Sequence, residues 1–251
     1  MKLSLEPGVV AISGGCGDIG LATARAFAEA GCRVALADLA EKPAGCNGFY
    51  HEKLDVSDPE AVEAWYENLE RHFGEPPRYL VANAAIVTFR RCLEITPAEW
   101  KRELEVNLNG AFYFAQAGAR RLAASNRPGR IVFVGSWAAH APHRAIPAYS
   151  VAKAGMRMLC KTMALELAAH GIAVNEVAPG YVDAGLSGRA FEADPDLRAA
   201  AESGVPLARL LSPAQVAAQI VYLCSEAAAQ ITGTTVLVDG GLSLLQGPTS
   251  R

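Results

Sequence analysis

Two side chains of complementary chemistry, Tyr149 and Lys153, lie four residues apart, and Ser136 precedes Tyr149 by thirteen residues. Residues four apart share one face of a helix. A Lys ammonium beside a phenol favours the phenolate, so we expect the pKa of Tyr149 to fall from about 10 toward neutral pH. Such a phenol can exchange a proton with an alcohol or carbonyl oxygen. The pair alone is also typical of an amphipathic helix turn with an extended Lys. Whether it is catalytic must therefore be judged from its context in the rest of the sequence.

A glycine-rich segment near the start of the chain supplies that context. Residues 13–20 read Ser-Gly-Gly-Cys-Gly-Asp-Ile-Gly and separate an apolar run from a helical pattern. Glycines at a strand-to-helix turn let the backbone approach a pyrophosphate, which then lies at the amino end of the helix. A plain strand–helix turn is the alternative, but a strand before and a helix after are what a dinucleotide-binding loop requires.

The choice of dinucleotide depends on Asp38, which follows the second apolar run. A carboxylate there can accept hydrogen bonds from both ribose hydroxyls of an adenosine and would repel a 2′-phosphate. Leu39 and Ala40 come next, and Lys42 is the nearest cation. The sequence therefore predicts NAD rather than NADP. A turn or capping role for Asp38 is the simpler alternative, and it is compatible with ribose binding.

Strand and helix patterns alternate along the whole chain without a linker or a repeat. Apolar runs typical of buried strands occur at 8–13, 33–37, 50–56, 79–82, 130–134, 172–177 and 235–238. Helical patterns lie at 19–30, from 58 onward, and at 97–124, 148–169 and 213–228. This alternation predicts an α/β protein: one doubly wound Rossmann domain over residues 1–251, whose parallel sheet of about seven strands has helices on both faces.

Composition excludes several classes of protein. The 251 residues are 51% hydrophobic and 20% charged, as in globular proteins with a large core. A net charge of -3 offers no broad attraction to nucleic acid or to an anionic membrane. The six cysteines lack Cys-x-x-Cys spacing, residues 1–7 lack a signal-peptide pattern, and no apolar run has the length of a membrane span. We therefore expect a cytoplasmic protein with reduced thiols and no metal site.

Further motifs follow in an order that resembles the short-chain dehydrogenase/reductase family over nearly the whole chain. Residues 13–20 resemble its Thr-Gly-x-x-x-Gly-x-Gly loop, and Asp55-Val56 resembles the acidic pair at the adenine ring. Asn83-Ala84-Ala85 is similar to the segment after the fourth strand. The family's catalytic tetrad is matched by Asn107, Ser136, Tyr149 and Lys153. Pro179-Gly180 resembles the segment that packs near the nicotinamide, and residues 231–233 and 238–241 resemble the carboxyl-terminal signature. Each motif is modest alone, but their order is specific.

The resemblance implies hydride transfer between a nicotinamide and a carbon that bears oxygen. It makes Tyr149 the general base or acid and places Ser136 at the substrate oxygen. Lys153 is implied to lower the pKa of Tyr149 and to bind the nicotinamide ribose. The resemblance also implies that Asn107 binds a water molecule in a proton-transfer path. The alternative for Asn107 is a helix kink or a hydrogen bond between helices. The implied cofactor contacts are Ser13, Gly14, Asp18, Ile19, Gly20, Asp38, Asp55, Val56, Asn83, Tyr149, Lys153, Pro179, Gly180 and Val182.

Four residues depart from the family pattern. Ser13 replaces Thr, Asp18 stands at the middle Gly of the loop, and Ala85 replaces a Gly. Ala184 stands where many members have a Thr that holds the nicotinamide carboxamide. We expect the backbone of Val182, or Ser187, to take over that anchoring.

The substrate pocket is expected between residues 137–148 and a mobile lid at 184–206, with Trp137, His143 and Gly180 as contacts. Together with His140 and Arg144, these side chains favour a polar substrate such as a polyol, a sugar or a hydroxy acid. A metal held by His140-x-x-His143 is disfavoured because no carboxylate accompanies the two histidines.

Three functions remain open. The leading one is an NAD-dependent dehydrogenase of a secondary alcohol, a small-molecule substrate. The alternatives are a carbonyl or 3-oxoacyl reductase, which usually favours NADPH, and a non-catalytic cofactor-binding protein on the same fold. The resemblance also implies a homotetramer, or a homodimer, assembled through the long helices and the carboxyl-terminal segment. The apolar residues 242–245 are compatible with such an interface or with a core edge.

Overall fold

Seven parallel strands form one sheet in the computed structural model, which describes residues 4–44 and 46–244. The strands are β1 (Val9–Ser13), β2 (Arg33–Asp38), β3 (Tyr50–Lys53), β4 (Tyr79–Ala82), β5 (Gly129–Val134), β6 (Ile172–Pro179) and β7 (Thr235–Val238). Their order is β3-β2-β1-β4-β5-β6-β7. The predicted fold and all seven predicted strands are confirmed. The third strand ends at Lys53 rather than 56, because its last partner is Asp38, where β2 itself ends.

Eight α-helices are found in the described residues. They are α1 (Asp18–Glu29), α2 (Pro59–Phe73), α3 (Pro97–Leu104), α4 (Ala111–Ala124), α5 (Pro147–Leu167), α6 (Gly185–Ala193), α7 (Pro195–Gly204) and α8 (Pro213–Cys224). The predicted start of α2 is confirmed: Pro59 is its first residue, and the Asp58 carboxylate accepts the N–H groups of Glu60 and Ala61. Helices α6 and α7 lie within the predicted lid, and the sequence patterns do not predict them.

The predicted helix over 97–124 is continuous but changes its winding. Six residues of π-helix, Glu105–Gly110, join α3 to α4. A Cβ on Gly110 would lie 2.7 Å from Val56 Cγ2, so only glycine lets this helix approach the loop after β3 so closely. π-Helical turns are rare and often accompany functional residues; this one contains Asn107.

Both faces of the sheet are covered, as the apolar strands predict. Successive residues of β1 point to opposite faces. Val9 and Ala11 pack with residues of α2, α4 and α5, and Val10 and Ile12 pack with residues of α1 and α8. All four are completely buried.

The direction in which successive strands are added to the sheet reverses between β1 and β4. From β1 the chain moves outward to β2 and β3, and it then returns to β4 and moves outward on the other side. The connections after β1 and β4 therefore diverge and leave a crevice at the carboxyl ends of these strands. Most of the residues singled out by the sequence lie along this crevice.

Candidate functional site

The three residues expected to do the chemistry come together at one end of the crevice. Ser136 follows β5, and Tyr149 and Lys153 lie on successive turns of α5. All three line the same cleft, and Tyr149 is within hydrogen-bonding reach of Ser136. The Ser136 hydroxyl also accepts the Ala138 N–H at 3.2 Å, which caps a short 3₁₀ turn and fixes the side chain.

The predicted fall in the pKa of Tyr149 is wrong. Burial raises the pKa of Tyr149 to about 12, and the hydrogen bond with Ser136 offsets only part of this. Lys153 lies beside the ring, with Nζ 5.5 Å from its centroid, but its ammonium donates to the Val134 carbonyl at 2.7 Å. Burial also lowers the pKa of Lys153 to about 8. Desolvation of both groups therefore outweighs the attraction between phenolate and ammonium that the spacing suggests.

Asn107 is fully buried, and its carboxamide is occupied by the chain itself. Oδ1 accepts the N–H of Ile86 at 2.9 Å, and Nδ2 donates to the Ile86 carbonyl at 2.8 Å. Asn107 does not line the cleft, whereas Ile86 does. The side chain thus joins the π-helical turn to the loop that follows β4.

The glycine-rich turn has the geometry that a dinucleotide requires. Gly14 has φ +61°, and a Cβ there would lie 2.8 Å from Ala84 Cα. A Cβ on Gly20 would lie 2.3 Å from the Gly14 carbonyl oxygen. Helix α1 begins directly after this turn, and no side chain caps its first N–H groups within the described residues. These donors point toward the crevice and can bind a pyrophosphate.

Ser13 and Asn83, both predicted to touch the cofactor, form hydrogen bonds that support the glycine-rich turn. The buried Ser13 hydroxyl accepts the N–H groups of Asn83 and Ala84 at 3.1 and 3.2 Å. The Asn83 amide donates to the carbonyls of Ser13 and Gly14 at 3.2 and 2.9 Å. These bonds tie the ends of β1 and β4 together below the glycine-rich turn. Asn83 still lines the cleft, whereas Ser13 and Gly20 do not.

Asp38 lies at the other end of the cleft from Tyr149, held in place by backbone donors. One carboxylate oxygen accepts the Cys16 N–H at 2.9 Å, and the other accepts the Ala40 N–H at 3.0 Å. The neighbouring cleft residues Cys16, Leu39 and Ala40 carry no positive charge. Farther along, Asp55 accepts from Ser57 and pairs with Arg102 at 3.0 Å, beside Val56. Burial opposes ionisation of Asp55, but the hydrogen bonds from Ser57 and Arg102 outweigh it and lower the pKa.

Asp18, where the family loop has a glycine, links the glycine-rich turn to the lid. Its carboxylate accepts the N–H of Gly185, the first residue of α6, at 2.8 Å. Asp18, Ile19, Ala184 and Gly185 all line the cleft. The carboxylate is therefore turned toward the lid rather than left as an unpaired charge. Ser187 is one of the two residues expected to anchor the carboxamide, because Ala184 replaces the usual Thr. Its side chain is outside those that the structure describes.

The segment after β6 closes the cleft near Tyr149. Pro179, Gly180 and Val182 line it as expected. Gly180 donates its N–H to the Val238 carbonyl at 2.9 Å, and a Cβ on Gly180 would lie 2.8 Å from Asp239 Cα. Val182 pairs in a single β-bridge with Leu211. The whole cleft measures about 500 Å³.

The substrate end of the cleft is more aromatic than the sequence suggests. The Trp137 ring packs edge-on against His143 and Tyr181, with centroids 5.8 and 5.5 Å apart, and Tyr181 packs against Phe191 at 6.1 Å. Burial lowers the pKa of His143, so its ring is neutral. Nδ1 accepts the Ala145 N–H at 3.2 Å, which assigns the ring proton to Nε2. Arg144 is exposed and does not line the cleft.

Two buried carboxyl groups close to this site are not anticipated by the motifs. Glu103 on α3 and Glu176 on β6 are both fully buried, and burial raises the pKa of each. Glu103 acts electrostatically on Tyr149, and Glu176 acts on Lys153. For Glu176 the available signal is simple: it is an acidic residue inside the largely apolar run of β6, whereas Glu103 lies among charged residues and gives no such signal.

Within residues 4–44 and 46–244, no group of three or more His, Cys, Asp or Glu side chains could hold a metal ion. Nor does any helix in this part of the chain have the length and hydrophobicity to cross a membrane.

Comparison with known proteins identifies the family. A family model described as enoyl-(acyl carrier protein) reductase matches residues 15–243. The chain is 35% identical over 247 residues to cis-4-hydroxycyclohexanecarboxylate dehydrogenase of Sinomonas cyclohexanicum, covering 93% of this chain and 95% of the relative. It is 32% identical over 250 residues to a 3-oxoacyl-(acyl-carrier-protein) reductase of Salmonella typhimurium, covering 97% and 100%.

Among solved structures, a short-chain type dehydrogenase/reductase from Mycobacterium marinum superposes with a TM-score of 0.87 and 30% identity, covering 95% of this chain and 96% of the other. The fold, the order of the motifs and these likenesses agree. The chain belongs to the short-chain dehydrogenase/reductase family, whose members are oxidoreductases that bind a nicotinamide cofactor.

Proposed function

We propose that this protein is an NAD-dependent dehydrogenase that interconverts a secondary alcohol and its ketone. One observation carries the proposal: Asp38 and the group Ser136, Tyr149 and Lys153 lie at opposite ends of one cleft, with the glycine-rich turn between them. A dinucleotide bound across that turn would have its adenosine ribose at Asp38 and its nicotinamide near Tyr149. The charge of Asp38 favours the unphosphorylated ribose.

A bound nicotinamide supplies the hydride chemistry, and the chain supplies the proton and the orientation. Tyr149 Oη exchanges the proton with the substrate oxygen, and the Ser136 hydroxyl donates a hydrogen bond to that oxygen. Because burial raises the pKa of Tyr149 to about 12, the phenol holds its proton at neutral pH. It is therefore ready to donate in the reductive direction and becomes a better base as the pH rises.

The walls of the cleft support a substrate that has a ring and a polar substituent. Trp137 and Tyr181, whose rings pack edge-on, line the cleft and offer apolar surface to such a ring. The Nε2–H of His143 adds one neutral donor that suits a carboxylate or a hydroxyl. Of the polyol, sugar and hydroxy acid favoured by the sequence, we propose a cyclic hydroxy acid. The relative named for cis-4-hydroxycyclohexanecarboxylate supports this choice.

A 3-oxoacyl or other carbonyl reductase is the second candidate. It is favoured by the relative from Salmonella typhimurium and by the description of the matching family model. The two candidates differ at Asp38 if the reductase uses NADPH, since a carboxylate at the adenosine ribose opposes a 2′-phosphate.

The decisive experiment offers cyclic hydroxy acids, polyols, sugars, hydroxysteroids and 3-oxoacyl thioesters, each with NAD(H) and NADP(H), and follows absorbance of the reduced cofactor. Tyr149→Phe removes the proton carrier, and Tyr113→Phe is the matched control because Tyr113 does not line the cleft. We expect turnover of a cyclic hydroxy acid with NAD that Tyr149→Phe abolishes and Tyr113→Phe preserves. Turnover that survives Tyr149→Phe would refute the assigned proton carrier, and a preference for NADPH with an oxoacyl thioester would favour the second candidate.

Assembly through α5 is also part of the proposal. Val151, Met158 and Leu165 are spaced by seven residues on this helix and are 49%, 62% and 82% exposed. Apolar residues at that spacing form a continuous stripe that a second helix can cover. This supports assembly into a homotetramer or a homodimer. We also propose that the protein is cytoplasmic. Leu242 is buried, which fits a core edge, and residue 245 lies outside the described residues. Light scattering of the wild type and of Met158→Glu would measure the subunit number and its dependence on this stripe.

A further inference from the structure

Glu176 lies on a face of β6 that packs into the core. Its neighbours in the sheet are Phe133 on β5 and Thr235 on β7. Glu176 shares a strand face with Val174, two residues earlier, and that face packs against α5. The side chain is fully buried. A carboxyl group in such a place is costly unless something nearby compensates its charge.

The contacts of this carboxyl group lead to the candidate site. Oε2 accepts the hydroxyl of Thr235 at 2.6 Å, and Oε1 has no hydrogen-bond partner among the described residues. Oε1 lies against Gly135, where a Cβ would be only 1.8 Å away. Gly135 is flanked by Val134, whose carbonyl binds the Lys153 ammonium, and by Ser136. The carboxyl group therefore borders the backbone that orients two of the three candidate catalytic residues.

Three cations act on Glu176 from one face of α5: Lys153, Arg157 and Lys161. They differ in their access to water. Lys161 is exposed, and both it and Arg157 line a separate cavity of about 370 Å³, where Arg157 also contacts His140 at 2.8 Å. Lys153 is 1% exposed and has no ion-pair partner within 4.0 Å in the described part of the chain. Solvent can compensate the charges of Arg157 and Lys161, whereas the charge of Lys153 must be compensated by the protein.

We propose, on the basis of the proposed function, that Glu176 is a positioning residue: its buried carboxylate is the counter-charge that keeps the Lys153 ammonium in place beside Tyr149. The carboxylate acts from behind the catalytic face and touches neither substrate nor cofactor. Removing its charge should make Lys153 lose its proton more readily. The other titratable group on α5 that faces Glu176 is Cys160, whose thiol is neutral because burial raises its pKa to about 12.

The test is a direct titration of Lys153 that needs neither substrate nor cofactor. Six lysines occur in the sequence, so the protein can be labelled with lysine carrying ¹³C at Cε and its resonances followed by NMR. Lys153→Met assigns the resonance. Glu176→Gln keeps the shape of the side chain and removes its charge, and Glu166→Gln is the matched control because it removes the same charge from an exposed position on the same helix.

We expect Glu176→Gln to lower the titration midpoint of Lys153 by about one pH unit, and Glu166→Gln to leave it unchanged. The pH at which kcat/KM for alcohol oxidation begins to rise less steeply should also be lower in this variant. An unchanged midpoint in Glu176→Gln would overturn the proposal. If that variant does not fold, Thr235→Val decides, because it deprives the carboxylate of its donor: a lowered midpoint supports the counter-charge, and an unchanged one refutes it.

This outcome is independent of the proposed function. Full turnover in Tyr149→Phe would refute the assignment of Tyr149, whereas the midpoint of Lys153 would still report whether Glu176 acts on it.

Discussion

The carboxamide of Asn107 forms a pair of hydrogen bonds with the backbone of Ile86, accepting from its N–H at 2.9 Å and donating to its carbonyl at 2.8 Å. The pair mimics the pairing of two strands, although one partner is a side chain on a π-helical turn. It ties the loop after β4, which borders the cleft, to the helix that follows. The hydrogen bond between helices expected as an alternative for Asn107 is not what the structure shows, because both bonds of the carboxamide go to a loop.

Asn107→Asp should destabilise the protein, because a carboxylate cannot donate to the buried Ile86 carbonyl. An unpaired buried group costs about 1–3 kcal/mol. Urea unfolding measures the change, and Asn47→Asp, the same substitution at an exposed position, is the control. Equal stability of the two variants would show that the bond to Ile86 contributes little.

The rate of alcohol oxidation should rise with pH. Because the pKa of Tyr149 is raised to about 12, its base form is scarce at neutral pH and increases with every step toward alkaline pH. The rise should become less steep above about pH 8, where Lys153 loses its proton. A pH profile of kcat/KM measures this, and a profile that is flat from about pH 6 to 9 would contradict a phenol with a raised pKa.

Asp38→Asn should weaken the preference for NAD over NADP by about tenfold or more, since a charge that opposes the 2′-phosphate by ~1.4 kcal/mol changes an affinity ratio tenfold. The carboxamide retains an oxygen that can accept the Cys16 or Ala40 N–H. The measurement is kcat/KM with each cofactor. An unchanged ratio would show that a residue other than Asp38 sets the preference.

Asp18→Ala should loosen the start of α6, because the Gly185 N–H loses its acceptor. Hydrogen–deuterium exchange of the segment around Gly185 should accelerate, while exchange in β1 should not change. Asp196→Ala, an exposed change in α7 away from this bond, is the control. Unaltered exchange at Gly185 would mean that other contacts hold the lid.

Gly135→Ala should destabilise the protein by about 1–3 kcal/mol, as expected of an overpacked core, because its new Cβ meets Glu176 Oε1. Adding Glu176→Ala should restore much of the loss, since it removes the obstructing oxygen. Urea unfolding of the single and double variants measures the coupling, with Gly48→Ala, where a Cβ meets nothing within 4 Å, as the control. Strictly additive effects would show that the two residues do not constrain each other.

Local patterns predict the fold well because strands buried on both sides and helices with one apolar face leave distinct periods in the sequence. The same is true of the Asp58-Pro59 start of α2. An equivalent signal, Asp194-Pro195, marks the start of α7, where Asp194 accepts the N–H groups of Asp196 and Leu197. Reading both signals alike would have predicted α7. Helix α6 begins at a glycine with positive φ and contains another glycine, so its local pattern is weak.

Properties that depend on burial cannot be predicted from spacing. Tyr149 and Lys153 are correctly placed by their separation, but the pKa of Tyr149 depends on how completely the surrounding elements exclude water. The aromatic contacts at the Tyr149 end of the cleft join Trp137 and Tyr181, which line it, to the buried Phe191 behind Tyr181, and these residues come from three separate segments of the chain. Glu176 is marked in the sequence as an acidic residue in an apolar run, but its position beside Gly135 emerges only from the sheet.

The reversal of strand order between β1 and β4 places different parts of the candidate site on the two halves of the sheet. The half of the sheet built from β1 to β3 carries Asp38, to which we assign the choice of cofactor, and the half built from β4 to β7 carries Ser136 and leads into the helix with Tyr149 and Lys153. Ser13 and Asn83 fasten the two halves where they meet. Under the proposed function, substitutions in the first half would exchange the cofactor and leave the proton-transfer residues intact, and substitutions around the second half would change the substrate without altering the cofactor. A lineage of such proteins can adjust its redox partner and its substrate separately.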